Sequence, residues 1–155
     1  MIACAGCGLA VPRGTGGCRA MFDELAVRQW SSPVAYPVRR MMVDTYALQH
    51  PDEFCVSAKS LAAHLTGLCA VLEYPSHPTL LQVLRRWLDG PSPVAKPDLL
   101  AARGALTIAE AYGAPDAERL VSAADRWARD VWKAYAPLHP LARRWVEQAL
   151  AGPVR

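Results

Sequence analysis

Two cysteines separated by two residues and followed by glycine, Cys4-Ala5-Gly6-Cys7-Gly8, constrain this chain more than any other feature it has. Thiolates at this spacing, in a turn that glycine permits, form the compact knuckle that holds a soft metal ion. Such a pair is half a site. A tetrahedral metal needs two more ligands, so the fold has to return distant donors to the N-terminus. Five cysteines are an odd number that internal disulfides cannot fully pair, and the Cys-x-x-Cys spacing points to reduced thiols and metal chemistry rather than structural bridges.

With 155 residues and 52% hydrophobic content, the chain is expected to form one domain with a substantial core, residues 1–18 being a knuckle and loop within it. Its apolar runs are far shorter than a membrane span, and the N-terminus leads into the cysteine pair with no basic and apolar signal segment. A cytoplasmic protein is the expectation. Net charge is only +3, and the basic pairs Arg39-Arg40, Arg85-Arg86 and Arg143-Arg144 fall in amphipathic segments, where arginines cover a wet helix face. A duplex-binding surface is not indicated. Abundant alanine and arginine against three lysines fit a GC-rich bacterial genome.

Helical periodicity dominates, and no strand pattern rises above it. After a flexible loop over 11–17, the spacing predicts a helix over 18–30 with Met21, Phe22, Leu25, Ala26 and Gln29 on one face, stopped by Ser31-Ser32-Pro33. A second runs from Pro37 to His50, burying Val34, Val38, Met41, Met42, Thr45 and Leu48, and Pro51 ends it. A third covers 57–73 with Leu61, Leu65, Leu68, Cys69 and Leu72 in register. Thr79 is placed as N-cap of a short fourth helix ending at Gly90. Residues 90–104, with three prolines, read as an extended surface loop with the reach of a lid, pinned by Leu99 and Leu100. Thr107 and Glu110 have capping-box spacing, Pro115 opens a long helix, and the last helix follows Pro140. The class is mostly α, a single-domain helical bundle.

If the first two long helices form an antiparallel hairpin, the end of the second returns beside the start of the first, and His50 approaches Cys18. Cys4, Cys7, Cys18 and His50 then converge as a Cys3His site suited to Zn2+, with a complete shell that leaves no position for substrate water. Cys55 is the rival, able to replace Cys18 or His50. Redox chemistry at Cys4 and Cys7 lacks the alternating strand and helix context that thioredoxin-like motifs require.

A second polar group, Asp44, Tyr46, His50 and His64, sits within strongly apolar helices, where unpaired polar atoms are costly. Asp44 and His64 share facing positions and are expected to meet, as a register-fixing pair or as a base and its orienting carboxylate. Cys69 fits a core stripe, His77 lies in a turn, and His139 is placed to cap the preceding helix end. Trp127, Trp132, Tyr135 and Trp145 read as core and rim, or as exposed aromatics for a partner.

The order Cys4-x-x-Cys7-Gly8, Cys18 ahead of a helix, and Val43-Asp44-Thr45-Tyr46-Ala47-Leu48-Gln49-His50-Pro51 resembles a family of small uncharacterised bacterial proteins with a CPGCG-type start and a YAxQHP segment. His64-Leu65-Thr66-Gly67-Leu68-Cys69, Gly104-Ala105-Leu106-Thr107 and Trp127-Ala128-Arg129-Asp130-Val131-Trp132 extend the resemblance over most of the chain. It implies that the Cys and His positions belong to a shared plan, and it carries no activity. Where such proteins often have a histidine pair before Val-Asp-x-Tyr, this chain has Arg39-Arg40-Met41-Met42.

The sequence therefore predicts a structural zinc site and a binding or scaffolding role toward a small molecule, peptide or protein. The alternative is a metal- or His/Asp-dependent tailoring or hydrolytic enzyme with a pocket near Asp44, Tyr46 and His64.

Overall fold

Proline and glycine divide the chain into short rods, and the computed structural model, which describes residues 1–31 and 34–152, follows most of those divisions. Ser32 and Pro33, part of the expected stop of the first helix, lie outside the described residues. Among the described residues a two-strand ribbon, β1 (Ile2–Ala3) and β2 (Ala10–Val11), precedes eight α-helices. These are α1 (Thr15–Ser31), α2 (Tyr36–Gln49), α3 (Pro51–Phe54), α4 (Ala58–Glu73), α5 (Leu80–Asp89), α6 (Ile108–Tyr112), α7 (Ala117–Ala134) and α8 (His139–Leu150). The mostly helical class matches the expectation.

The ribbon departs from it. Ile2 pairs with Val11 and Ala3 with Ala10, antiparallel, and two residues per strand are too few to show alternation in sequence. Residues 11–17 are correspondingly not a flexible loop, because Val11 belongs to the ribbon and α1 already begins at Thr15. Smaller corrections concern helix starts. Thr79 makes no side-chain cap bond, and α7 begins at Ala117 under Asp116, whose carboxylate accepts from Arg119 N at 2.8 Å. Thr107 caps α6 through Ala109 N. Ser57 and Ser60 form a reciprocal capping box on α4.

The core is built on α2 and α4, which pack on each other, α2 also against α7 and α4 also against α5 and α8. Leu61, Leu65 and Leu68 carry the α4 stripe into the interior as its spacing predicts. In α2 the second half is enclosed on every side, since Asp44 through Gln49 are all buried. Sequence periodicity does not reveal that, because half of those residues are polar. The expected α1–α2 hairpin is looser than a close-packed pair. The main backbone neighbour of α1 is α6, and α1 meets α2 through a ring stack, Phe22 on Tyr46, with centroids 4.1 Å apart. Trp127, Trp132, Tyr135 and Trp145 are all buried, which removes them as an exposed docking surface.

Gln49, the last residue of α2, is the polar hub of the core. Its amide nitrogen donates to the carbonyls of Arg103 at 2.8 Å and Leu106 at 2.7 Å, while its oxygen accepts from Trp127 Nε1 at 2.9 Å. These bonds satisfy a fully buried amide and moor the proline-rich segment to α2 and α7. Asp130 completes the mooring by accepting from Ala105 N and Leu106 N. Lys96 and Lys59 donate to the carbonyls of Val56 and Gly90, so this segment is a strap tied along its length. Of the two leucines expected to pin it, Leu100 packs on the core and Leu99 remains exposed. Gln49→Ala strands an indole N–H and two carbonyls, and a loss of about 3 kcal/mol follows from the usual cost of unsatisfied buried groups. Urea unfolding of the variant beside the parent measures it.

Candidate metal centre

The N-terminal knuckle is built by backbone bonds before any side chain enters. Cys4 N donates to Leu9 O at 2.8 Å and Gly8 N to Cys4 O at 2.9 Å, closing a tight turn at the end of the ribbon. Gly8 takes φ 79°, a left-handed conformation that glycine adopts without strain. Ala5 N donates to Thr15 Oγ1 at 3.0 Å, fastening the knuckle to the start of α1, where Cys18 follows within the first turn.

The other half comes from the end of α2. Proline at 51 disfavours helical geometry at the residue before it, and the chain leaves the helix at His50 (φ −127°, ψ 55°). Pro51 then starts α3 rather than simply ending a helix. At this corner His50 faces the knuckle at very short range. A Cβ placed on Gly6 would stand 2.4 Å from His50 Cδ2 and 2.8 Å from Gln49 O, so only glycine allows the approach.

Cys4, Cys7, Cys18 and His50 are brought together, their ligand atoms all within 4.8 Å of one another. Cys4 Sγ lies 3.4 Å and Cys18 Sγ 3.6 Å from His50 Nε2, and Cys7 Sγ is 3.7 Å from Cys18 Sγ. Cys4, Cys18 and His50 are buried, while Cys7 is half-buried. This group can hold a metal ion. His50 is prepared for that role by its other ring nitrogen: Nδ1–H donates to Tyr46 O at 2.7 Å, which leaves Nε2 as the lone-pair nitrogen facing the sulfurs.

Electrostatics favour thiolate at the exposed side of the cluster. The Cys7 thiol is held down to about 4, chiefly by its hydrogen bond with Cys18, with burial opposing. Cys18, the partner in that bond, is pushed up by it and by burial. Burial works against ionisation of Cys4, but the N–H groups of Cys7 and Gly6 and the ring of His50 outweigh it and lower the thiol. For His50, burial opposes the charged form, and hydrogen bonds with Cys7, Tyr46 O and Cys4 raise it nonetheless.

Aromatic side chains brace the imidazole. His50 stacks on Tyr46 with centroids 4.0 Å apart, Tyr46 stacks on Phe22, and Phe54 meets Tyr46 edge-on at 5.7 Å. The Tyr46 hydroxyl lies 3.6 Å from Cys18 Sγ. Arg19, next to Cys18, pairs with Glu53 of α3 and covers the Phe54 ring, holding the two flanks of the centre together from outside. Phe22 and Phe54 are supports that the sequence does not announce as such. The available signal is the position of Phe54 within the turn that follows His50.

The remaining candidates stand elsewhere. Cys55 is outside the cluster: its thiol faces Ala47 O at 3.7 Å, and burial pushes it up to about 12. Cys69 is a core residue whose thiol donates to the Glu73 carboxylate at 3.4 Å. His77 is exposed, and His139 stacks on Trp132 and donates from Nε2 to Trp132 O in the last turn of α7. Asp44 and His64 meet at 2.9 Å, but Tyr46 is not with them, because its ring belongs to the metal centre.

No helix is long and apolar enough to cross a membrane among the described residues. The model of a family of unknown function, DUF5946, matches residues 2–136, a span that contains all four converging residues. Comparison with curated proteins and with solved structures finds no match.

Gly6→Ala forces the knuckle and the His50 ring apart. A cost of about 1–3 kcal/mol is expected from overpacking at so tight a contact. Thermal melts of the variant and parent, each with and without bound metal, will place that cost in the metal-bound form.

Proposed function

The chain belongs to DUF5946, a family of unknown function, and we propose that it is a zinc protein in which a closed Cys3His shell of Cys4, Cys7, Cys18 and His50 supports a binding or scaffolding surface. The spacing of the donor atoms carries the reading. Tetrahedral zinc with sulfur at about 2.3 Å and nitrogen at about 2.0–2.1 Å has S···S edges of about 3.8 Å and S···N edges of about 3.6 Å. Three of the six edges, the S···S separation of 3.7 Å and the S···N separations of 3.4 and 3.6 Å, lie close to those lengths, and all the donor atoms lie within 4.8 Å of one another. Three soft sulfurs with one imidazole select zinc over magnesium or calcium, which prefer oxygen.

Four protein ligands leave no coordination position for water or substrate, so the metal clamps and does not react. What it clamps is specific: the ribbon, the start of α1 and the α2–α3 corner, which no covalent link other than the chain itself holds together. Because the shell forms only in the folded chain, zinc affinity adds to folding free energy. Reduced thiols suit a cytoplasmic setting. A surface for binding is offered by an apolar groove of about 170 Å³ between α1 and α2, lined by Phe22, Leu25, Ala26, Gln29, Arg39, Met42 and Val43. Its occupant would be a small molecule, peptide or protein with an apolar contact face.

Metal analysis of the purified protein is expected to give one zinc per chain. Chelation should lower the melting temperature by about 10 °C or more, corresponding to about 3 kcal/mol for a chain of this size. Cys18→Ser and His50→Ala should bring the parent to the chelated value, with chelator adding nothing further. Metal-free protein, or a melting temperature indifferent to chelation, would refute the reading.

A further inference from the structure

Away from the metal centre, the buried half of α2 carries a carboxylate that the zinc reading leaves unused. Asp44 is fully buried, and its two oxygens are divided between two partners. Oδ2 accepts from Arg40 Nε at 3.1 Å, one turn earlier on α2, and Oδ1 accepts from His64 Nδ1–H at 2.9 Å, on α4. Gly67, one turn beyond His64, makes the room: a Cβ there would stand 2.3 Å from Asp44 Oδ2 and 3.2 Å from Arg40 Nη2. Arg40 Nη2 is further fixed by donating to Ala63 O at 3.3 Å.

As a purely structural device this is a poor choice, because well-packed apolar residues stabilise such a position at least as well as a buried ion pair. The carboxylate does something apolar residues do not: it orients two side chains that both reach the surface. Arg40 keeps 30% and His64 18% of their side-chain surface, while Asp44 keeps none. With Nδ1–H committed to Asp44, the His64 lone pair is at Nε2. Among the described residues nothing is seen to hydrogen-bond that atom, and the side chain that carries it is partly exposed.

A cation is the wrong ligand, since the Arg40 guanidinium already occupies one Asp44 oxygen and only one nitrogen is left to coordinate. We propose that Arg40 and His64, positioned by Asp44, form a binding site for a small oxyanion, the phosphate or carboxylate group of a metabolite-sized ligand. Asp44 and Arg40 cancel in charge. A protonated His64 leaves one positive charge, matched to one anion. The proton reaches Nε2 from solvent, or from the O–H of a singly protonated phosphate, and the oxyanion then accepts from Nε2–H and from the guanidinium. This site is independent of zinc, so it stands or falls apart from the proposed function.

Imidazole NMR of the zinc-loaded full chain tests it, because His64, His77 and His139 report in one spectrum. Inorganic phosphate or acetate, against chloride at equal ionic strength, should raise the His64 titration midpoint and leave exposed His77 unmoved. A response to phosphate alone assigns a phosphoryl ligand, and one that includes acetate extends it to carboxylates. Arg40→Gln should weaken the response about tenfold or more. Asp44→Asn should remove the Nδ1–H tautomer preference from the nitrogen spectrum, a readout that lost stability alone does not change. A His64 midpoint identical in all three salts, a shift shared equally by His77, or a response undiminished in Arg40→Gln would overturn the site.

Discussion

The placement of His50 Nε2 among three sulfurs is the interaction on which the rest of the arrangement depends. It joins positions 46 residues apart, Cys4 in the knuckle and His50 at the end of α2. The N-terminal segment is otherwise a ribbon of two residues per strand, and hairpins of that size are marginal by themselves in water. The convergence of the four donors, which can hold a metal ion, is what ties this segment to the helices. The imidazole is held ready for it on three sides, by the Tyr46 carbonyl at Nδ1, the Tyr46 ring on one face and the close backbone of Gly6.

Helix α2 organises both polar constellations because its C-terminal half is enclosed by other elements. A buried helix with polar side chains has to find a partner for each, and here every one goes to a different place. Asp44 serves Arg40 and His64, Gln49 ties the strap and Trp127, and Thr45 bonds back to the Met41 carbonyl. His50, at the end of the same helix, faces the sulfurs. The segment that looked like an amphipathic helix with awkward polar insertions is better described as a central rod whose insertions are its connections.

Much of this was legible in the residues, and the limits have physical causes. Cys4, Cys7, Cys18 and His50 could be assembled from spacing and proline positions, since thiols have few reasons to recur at knuckle spacing and Pro51 marks where the helix must end. The α4 stripe could be read because one face of it is apolar and the helix carries a strong cap. The ribbon could not, being shorter than the period of a strand. Nor could the role of Gln49, since an amide in a helix reads the same whether it faces water or three buried partners 54 to 78 residues away. The loose approach of α1 to α2 was hidden for a related reason: large aromatic rings, Phe22 and Tyr46, hold the backbones apart, and periodicity carries no information on distance. Tyr46 is a polar residue of the same buried helix as Asp44, but two residues along a helix is about 200° of rotation, enough to face another element.

X-ray absorption at the zinc edge of the purified protein reads the ligand set most directly. The predicted first shell is three sulfurs at about 2.3 Å and one imidazole nitrogen at about 2.0 Å, with no oxygen. A shell that requires a water oxygen, or that contains only two sulfurs, would contradict the closed Cys3His clamp.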